Sequence, residues 1–329
     1  MGIPLIDLHR HLDGSVRLET ILEVGLQNNL PLPETELEKL RPHVQVTEPQ
    51  PGILTFFEKF VWLTRILLNY DICRRIAYEN VEDAKNEGID YIELRFSPWF
   101  MADANGLDPY GVTEAVIQGI HEGVDSFGVK VNIIGIISRT YGPDIAWKEF
   151  DALYKYREHI TALDLAGDEV NYPGELFVNH FKKARDMGWN ITIHAGEAAG
   201  PESVWYALNE LGATRIGHAV TAVEDPNLID YLAENRIGIE SNLTSNYQTS
   251  TVQDYASHPL RTFLENGILA TINTDDPGIS GIDLPFEYEH AAPAAGLTQD
   301  QISIAQRNAL KVAFIDDKDR EKLLRKKSS

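Results

Sequence analysis

Apolar and polar residues alternate in short runs that recur along the whole chain, with longer stretches of helical period between them. Pro4–His11 has Ile6 and Leu8 on one face and Asp7, His9 and His11 on the other, as a half-buried strand requires. Similar runs lie at Ile89–Pro98, Val129–Ile137, Ile160–Ala166, Ile191–His194, Arg215–Val220, Ile237–Leu243 and Ile268–Thr274. Amphipathic segments such as Arg17–Asn29, Thr113–Phe127, Glu175–Met187, Val204–Leu211 and Pro226–Glu234 separate them. Glycines that suit helix ends, Gly88, Gly128, Gly188, Gly212 and Gly267, precede several strands. Regular alternation of strand and helix predicts right-handed crossovers and a parallel sheet. Eight repeats predict an α/β fold of the closed (β/α)8 barrel type, a TIM barrel, over residues 1–329 as one domain. No Ser/Gly linker or low-complexity run divides the chain, and no GxGxxG or P-loop follows the first strand.

The longest insertion, Pro31 to about Asp71, follows the first strand and its helix. Its segment from Ile53 to Leu63, with Phe56, Phe57, Phe60 and Trp62, is far more aromatic than an ordinary connector. Two readings are open: a helix packed on the barrel exterior, or an apolar lid over the mouth. Thr298–Phe314 and Asp316–Lys327 are read as closing helices, which makes the basic run Arg320–Lys327 a helix end.

Composition narrows the partners. A net charge of −21 opposes the phosphate contacts on which nucleic-acid binding depends, so no nucleic acid is expected. No apolar run approaches the ~20 residues of a membrane span. The N-terminus reaches Asp7, His9 and Arg10 at once, which leaves no room for a signal peptide and makes a cytoplasmic protein the expectation. A single cysteine, Cys73, excludes an intrachain disulfide and reads as a small helical core residue.

The candidate chemistry collects at the carboxyl ends of the strands. Ile191–Glu197 is an apolar strand ending in His194, then Ala195 and Gly196, then Glu197. Alone, His194 could be a buried histidine bonded to a carbonyl, and Glu197 a first-turn helix acid. His9-x-His11 places two imidazoles on one face, toward the barrel interior. Asp275-Asp276-Pro277-Gly278 taken singly reads as a turn. A barrel, however, brings the ends of its first, fifth and eighth strands to one rim. Three imidazoles and a carboxylate, from His9, His11, His194 and Asp275, suit zinc with a water in the open position. His218 ends the sixth strand. The remaining histidines, His43, His121, His159, His180, His258 and His290, show no partner pattern and read as structural or exposed. Glu287 and Glu289 read as a solvated helix start.

Along essentially its whole length the sequence resembles adenosine deaminase of the amidohydrolase superfamily, bacterial members especially. The matching pieces are His9-Arg10-His11-Leu12-Asp13-Gly14, Ser97-Pro98, Leu163-Asp164-Leu165-Ala166-Gly167-Asp168-Glu169, His194-Ala195-Gly196-Glu197, Gly217-His218, Leu243-Thr244-Ser245-Asn246 and Asn273-Thr274-Asp275-Asp276-Pro277. The resemblance implies one Zn²⁺ on His9, His11, His194 and Asp275, generating hydroxide from its water. It implies that His218 and Asp275 orient the hydroxide for attack on purine C6 while Glu197 protonates N1. Gly167 N–H would bond N3, Asp276 would hold N7, and Asp13, with His11 nearby, would take a ribose hydroxyl. Leu54, Phe56, Phe57 and Phe60 would form the apolar gate. The products would be inosine or 2′-deoxyinosine and ammonia, in purine salvage.

The residues themselves add to this. Donation to N7 needs Asp276 protonated, which burial beside other acids favours. Asp13, with only Arg10 and Arg17 as cations in its segment, favours a nucleoside over a nucleotide. The H-x-E with P-C-x-x-C pattern of the other zinc deaminases is absent. Leu165–Glu169 keeps the form associated with nucleosides rather than free adenine. One departure is Ala219 after His218, where glycine is usual. Its methyl could crowd the pocket floor or do nothing. Two alternatives stand beside adenosine: a modified adenosine or adenine on the same scaffold, and a silent purine-binding protein. The second requires loss of a ligand or of Glu197, and all are present. Oligomeric state is not legible.

Overall fold

A computed structural model describes residues 2–326. Lys327, predicted as the last residue of the final helix, lies outside the described residues. Eight parallel strands occur in sequence order around one sheet: β1 (Ile6–His11), β2 (Tyr91–Phe96), β3 (Lys130–Ser138), β4 (Ile160–Ala166), β5 (Asn190–Ala195), β6 (Arg215–His218), β7 (Gly238–Ser241) and β8 (Leu269–Ile272). The barrel closes just beyond β8. Asp275 pairs with Arg10, donating its N–H to His9 O at 2.8 Å and accepting the His11 N–H at 2.8 Å. The closing bond therefore lies in the same dipeptide that supplies the site's acids.

Each predicted strand is present, and several are shorter than the sequence indicates. Arg215–Val220 stops at His218, because His218 and Ala219 take left-handed φ values of 65° and 53°. Ile237–Leu243 ends at Ser241, and Leu243 opens a helix instead. The five glycines that mark helix ends all have positive φ, between 69° and 79°, a conformation in which a Cβ is strained. Outside the sheet, Tyr70–Asn86 and Pro109–Phe127 pack closely. A Cβ on Gly119 would fall 2.1 Å from Arg74 O. Among the described residues no helix is long and apolar enough to cross a membrane. The final helix, Asp317–Lys326, has local ion pairs between Lys322 and Asp319 and between Arg325 and Glu321.

The barrel interior is not simply apolar. Arg95, Arg215, Glu93, Glu240 and Asp164 are all fully buried. Arg95 bridges Glu240 at 2.9 Å and Asp164 at 2.8 Å, while Arg215 joins Glu93 to Glu240. Burial works against ionised carboxylates, but Arg95 and Arg215 hold Glu240 well below the usual range. Such a lattice survives burial only because every charge has partners. It forms a polar floor beneath the strand ends, and Thr192 completes it with a hydroxyl bond to Glu240 at 2.8 Å.

Candidate active site

The carboxyl ends of β1 and β5 and the turn after β8 bring His9, His11, His194 and Asp275 together. One ligand atom from each lies within 4.8 Å of the others. Asp275 Oδ1 is 3.0 Å from His9 Nε2 and 3.3 Å from His11 Nε2, and the Nε2 atoms of His11 and His194 are 3.1 Å apart. Ligands of a tetrahedral zinc at ~2.1 Å stand about 3.4 Å from one another, so these spacings fit a shared cation. His9 Nε2 is buried without a hydrogen-bond partner, which also fits.

The rings are aimed from behind. Glu240 Oε2 lies 2.6 Å from His9 Nδ1, and Asp164 Oδ2 lies 3.0 Å from His194 Nδ1. A carboxylate on the far nitrogen keeps the proton there and frees Nε2 as a ligand. Asp164 is buried, which would raise its pKa, yet the charges of His194 and Arg95 hold it below the usual range. Sequence reasoning passed over Glu240 and Arg95, and treated Asp164 only as part of a matching segment. Their signal was a charged residue inside an otherwise apolar, doubly covered strand, as in Tyr91-Ile92-Glu93-Leu94-Arg95.

A cavity of about 250 Å³ opens above this cluster. Its floor is polar, with Asp13, Glu197, His218 and Asp276, and its wall is aromatic, with Phe56, Phe57, Phe60 and Phe100. His218 Nε2 stands 3.6 Å from Glu197 Oε2 and 3.7 Å from Asp275 Oδ2. Burial, reinforced by Asp275 and Glu169, pushes Glu197 well above the usual carboxylate range. Burial and the adjacent Asp275 do the same to Asp276, whose Oδ1 is buried without a partner. Both acids are thus set to hold protons facing the cavity. Burial keeps His218 below its ordinary value. Asp13 accepts the Ser97 N–H at 2.9 Å, and its Oδ1 is 3.7 Å from His11 Nδ1.

Glycine is needed at two points of this wall. A Cβ on Gly14 would fall 1.7 Å from Asp276 Oδ1, so only glycine admits that carboxyl. Gly167 has φ 113°, and a Cβ there would meet Thr140 Oγ1 at 2.4 Å. Ala219, by contrast, does not line the cavity, and its methyl crowds nothing there. Its backbone takes a left-handed φ of 53°, a conformation that glycine adopts without strain.

The insertion after β1 folds as Leu37–Val44 and the short helices Ile53–Phe57 and Val61–Arg65, joined by a 3₁₀ turn at Glu58–Phe60. Phe56, Phe57 and Phe60 face the cavity, but Leu54 is 56% exposed and does not line it. On a helix, residues two apart point to different sides, which separates Leu54 from Phe56. Two further expectations need correction. Glu287 is fully buried rather than solvated, and burial raises its pKa to about 8, whereas Glu289 is exposed. His258 is buried and does have a partner, Asn246 Oδ1 at 3.1 Å. His180 stacks on Trp147 with ring centroids 3.9 Å apart, and its Nε2 lies 3.1 Å from Pro143 O.

A closed parallel barrel with three imidazoles and a carboxylate at its carboxyl rim defines a barrel hydrolase built around a metal site. Comparison with known proteins makes this specific. The sequence pattern of the adenosine deaminase family matches residues 4–327. An adenosine deaminase of Vibrio parahaemolyticus is 57% identical over 325 residues, 99% of this chain and 97% of the relative. That of Salmonella typhimurium is 56% identical over 324 residues, 98% and 97% of the two chains. Among solved structures, an amidohydrolase from Burkholderia ambifaria with bound Zn superposes with a TM-score of 0.87 at 26% identity, covering 97% of this chain and 88% of that one. An adenine deaminase from Arthrobacter aurescens gives a TM-score of 0.90 at 23% identity, over 98% and 97%, and so shares the fold. The chain belongs to the adenosine deaminase family.

Proposed function

We propose that this chain hydrolyses adenosine and 2′-deoxyadenosine to inosine and 2′-deoxyinosine with release of ammonia, as a step of purine salvage. The observation that supports it most is Glu197: a buried, proton-holding carboxyl beside His218, at the edge of a four-ligand cluster. His9, His11, His194 and Asp275 would hold one Zn²⁺, which when bound supplies Lewis acidity that lowers the pKa of water. Glu197 gives its proton to purine N1, which draws electron density from C6. His218 Nε2 and Asp275 Oδ2 flank an oxygen attacking C6. Addition of the oxygen and departure of the amino group as ammonia complete the exchange. Asp276 donates to N7, the Gly167 N–H to N3, and Asp13 with His11 takes a ribose hydroxyl. Phe56, Phe57 and Phe60 exclude bulk water.

A nucleoside fits the cavity better than a nucleotide. Among the described residues lining it there is no lysine or arginine, while Asp13, Glu197, Asp275 and Asp276 all contribute carboxyls. A 5′-phosphate would find no lysine or arginine there to offset those carboxyls. The test is the absorbance change as adenosine becomes inosine, with adenosine, 2′-deoxyadenosine, adenine and N6-methyl-AMP offered to zinc-loaded protein, before and after chelation. Turnover of the two nucleosides, lost on chelation, is expected. A folded, zinc-loaded protein that turns over only adenine or the nucleotide would overturn the assignment.

A further inference from the structure

A hydrogen-bonded relay starts at a backbone amide after the 3₁₀ turn Tyr255–Ser257 and ends on His218. Leu260 donates its N–H to His258 Nδ1 at 3.1 Å. A backbone nitrogen only donates, so His258 Nδ1 must be the bare ring nitrogen. His258 is 3% exposed. Burial, with His218 nearby, lowers its pKa to about 3, which leaves a neutral ring whose single proton sits on Nε2. That Nε2 lies 3.1 Å from Asn246 Oδ1. Donation there settles which way the amide of Asn246 faces.

The other end of that amide, Nδ2, stands 3.0 Å from His218 Nδ1. Asn242 Nδ2 lies 3.3 Å from the same atom and 3.4 Å from His218 Nε2, so it is Asn246 that distinguishes the two ring nitrogens. Amide nitrogens donate and do not accept. His218 Nδ1 is therefore an acceptor, and the ring's proton belongs on Nε2, the atom that faces Glu197 and Asp275.

We infer that His258 and Asn246 are positioning residues that lock His218 with its proton on Nε2. His218 thereby meets the attacking oxygen as a hydrogen-bond donor and not as the base that takes its proton. A neutral imidazole held as a donor is a known way to stabilise developing negative charge. This assignment of His218's partner rests on the deaminase reading above, whereas the tautomer itself follows from the relay. The acceptor role near the oxygen then falls to the carboxylates, Asp275 Oδ2 foremost.

Two-bond ¹H–¹⁵N correlation spectra of the zinc-loaded, ¹⁵N-histidine enzyme report which ring nitrogen is bare. The expected result is a bare Nδ1 in both His218 and His258. A protonated Nδ1 at His218 in the unaltered protein would overturn the inference without any variant, and needs no turnover to be seen. If adenosine is not turned over at all, the functional reading fails separately. Asn246→Asp puts an acceptor oxygen at Nδ1, so the proton should move to Nδ1. With adenosine, kcat should then fall roughly tenfold or more while KM changes less than about threefold. His258→Phe should lower kcat similarly, and His258→Gln, whose amide can still donate to Asn246, should recover most of it. Loss of kcat in these variants with the Nε2 proton unmoved, or equal activity in all three, would refute the relay.

Discussion

Glu169 holds Glu197 by its backbone. One carboxylate oxygen of Glu169 accepts the Gly196 N–H at 2.6 Å, and the other accepts the N–H groups of Glu197, Ala198 and Ala199 at 3.1, 2.8 and 3.0 Å. The Ser203 hydroxyl adds a further bond. Charge-assisted bonds of this kind are the strong ones. Glu169→Gln turns one acceptor into a donor facing N–H groups. We expect a stability loss of about 1–3 kcal/mol and a kcat for adenosine lowered roughly tenfold, with less change in KM. Denaturant unfolding and steady-state kinetics would measure both. A variant with normal kcat would mean that the turn holds Glu197 without this carboxylate.

Glu197→Gln removes the proton donor at nearly constant volume. The expected fall in kcat is about 10²–10⁴-fold, with metal content retained. Because burial holds the Glu197 pKa well above the usual carboxylate range, activity should fall on the alkaline side as that proton is lost. A glutamine variant of normal activity would remove Glu197 from the chemistry.

Chelation should lower the melting temperature as well as the activity, since an ion bound only by the folded state stabilises it. Readdition of Zn²⁺ should restore both. His9→Ala removes a ligand and leaves Glu240 with its two arginines, so the variant should fold yet fall well below one metal per chain by elemental analysis. Full metal occupancy in this variant would exclude His9 as a ligand.

Phe60 packs edge-on against Phe56, Phe57 and Phe100, with ring centroids 5.8, 6.1 and 5.7 Å away. Phe60→Ala should open the wall of the cavity and raise KM for adenosine several-fold. Leu54→Ala, on the exposed side of the same segment, should leave KM unchanged. Equal effects from the two substitutions would show that the segment acts through its fold and not through the face it turns to the cavity.

Glu287 sets a pH dependence of stability remote from catalysis. Its Oε1 accepts the Thr244 N–H at 3.2 Å, and its Oε2 is buried without a partner. Burial raises its pKa from 4.5 to about 8 in the folded protein. Between those values the unfolded chain releases the proton and the folded chain keeps it. Stability should therefore fall as pH rises from about 4.5 to about 8, and level off above. Glu287→Gln cannot titrate, so its melting temperature relative to the parent should rise steadily over that window. A difference that does not change with pH would show Glu287 to be ionised in the fold.

The barrel was legible because its grammar is local. Strand and helix patterns repeat eight times, helix-ending glycines precede five of the strands, and each unit can be read within a few dozen residues. His9, His11, His194 and Asp275 were legible for the same reason: each sits at a strand end, and a closed barrel leaves strand ends only one place to meet. What the sequence could not give was everything that depends on an unlike pair meeting across the barrel. Glu240 reaches His9 across 231 positions and Arg95 across 145. Asn246 and His258 lie only 12 apart, yet their bond depends on how the loop beyond β7 packs. Burial of Glu287, the outward turn of Leu54 and the left-handed backbone at His218 and Ala219 were likewise decided by packing. Periodicity records which face a residue takes within its own element. Only the assembled barrel decides which atoms stand opposite it, and hydrogen bonds, protonation and chemistry follow from that.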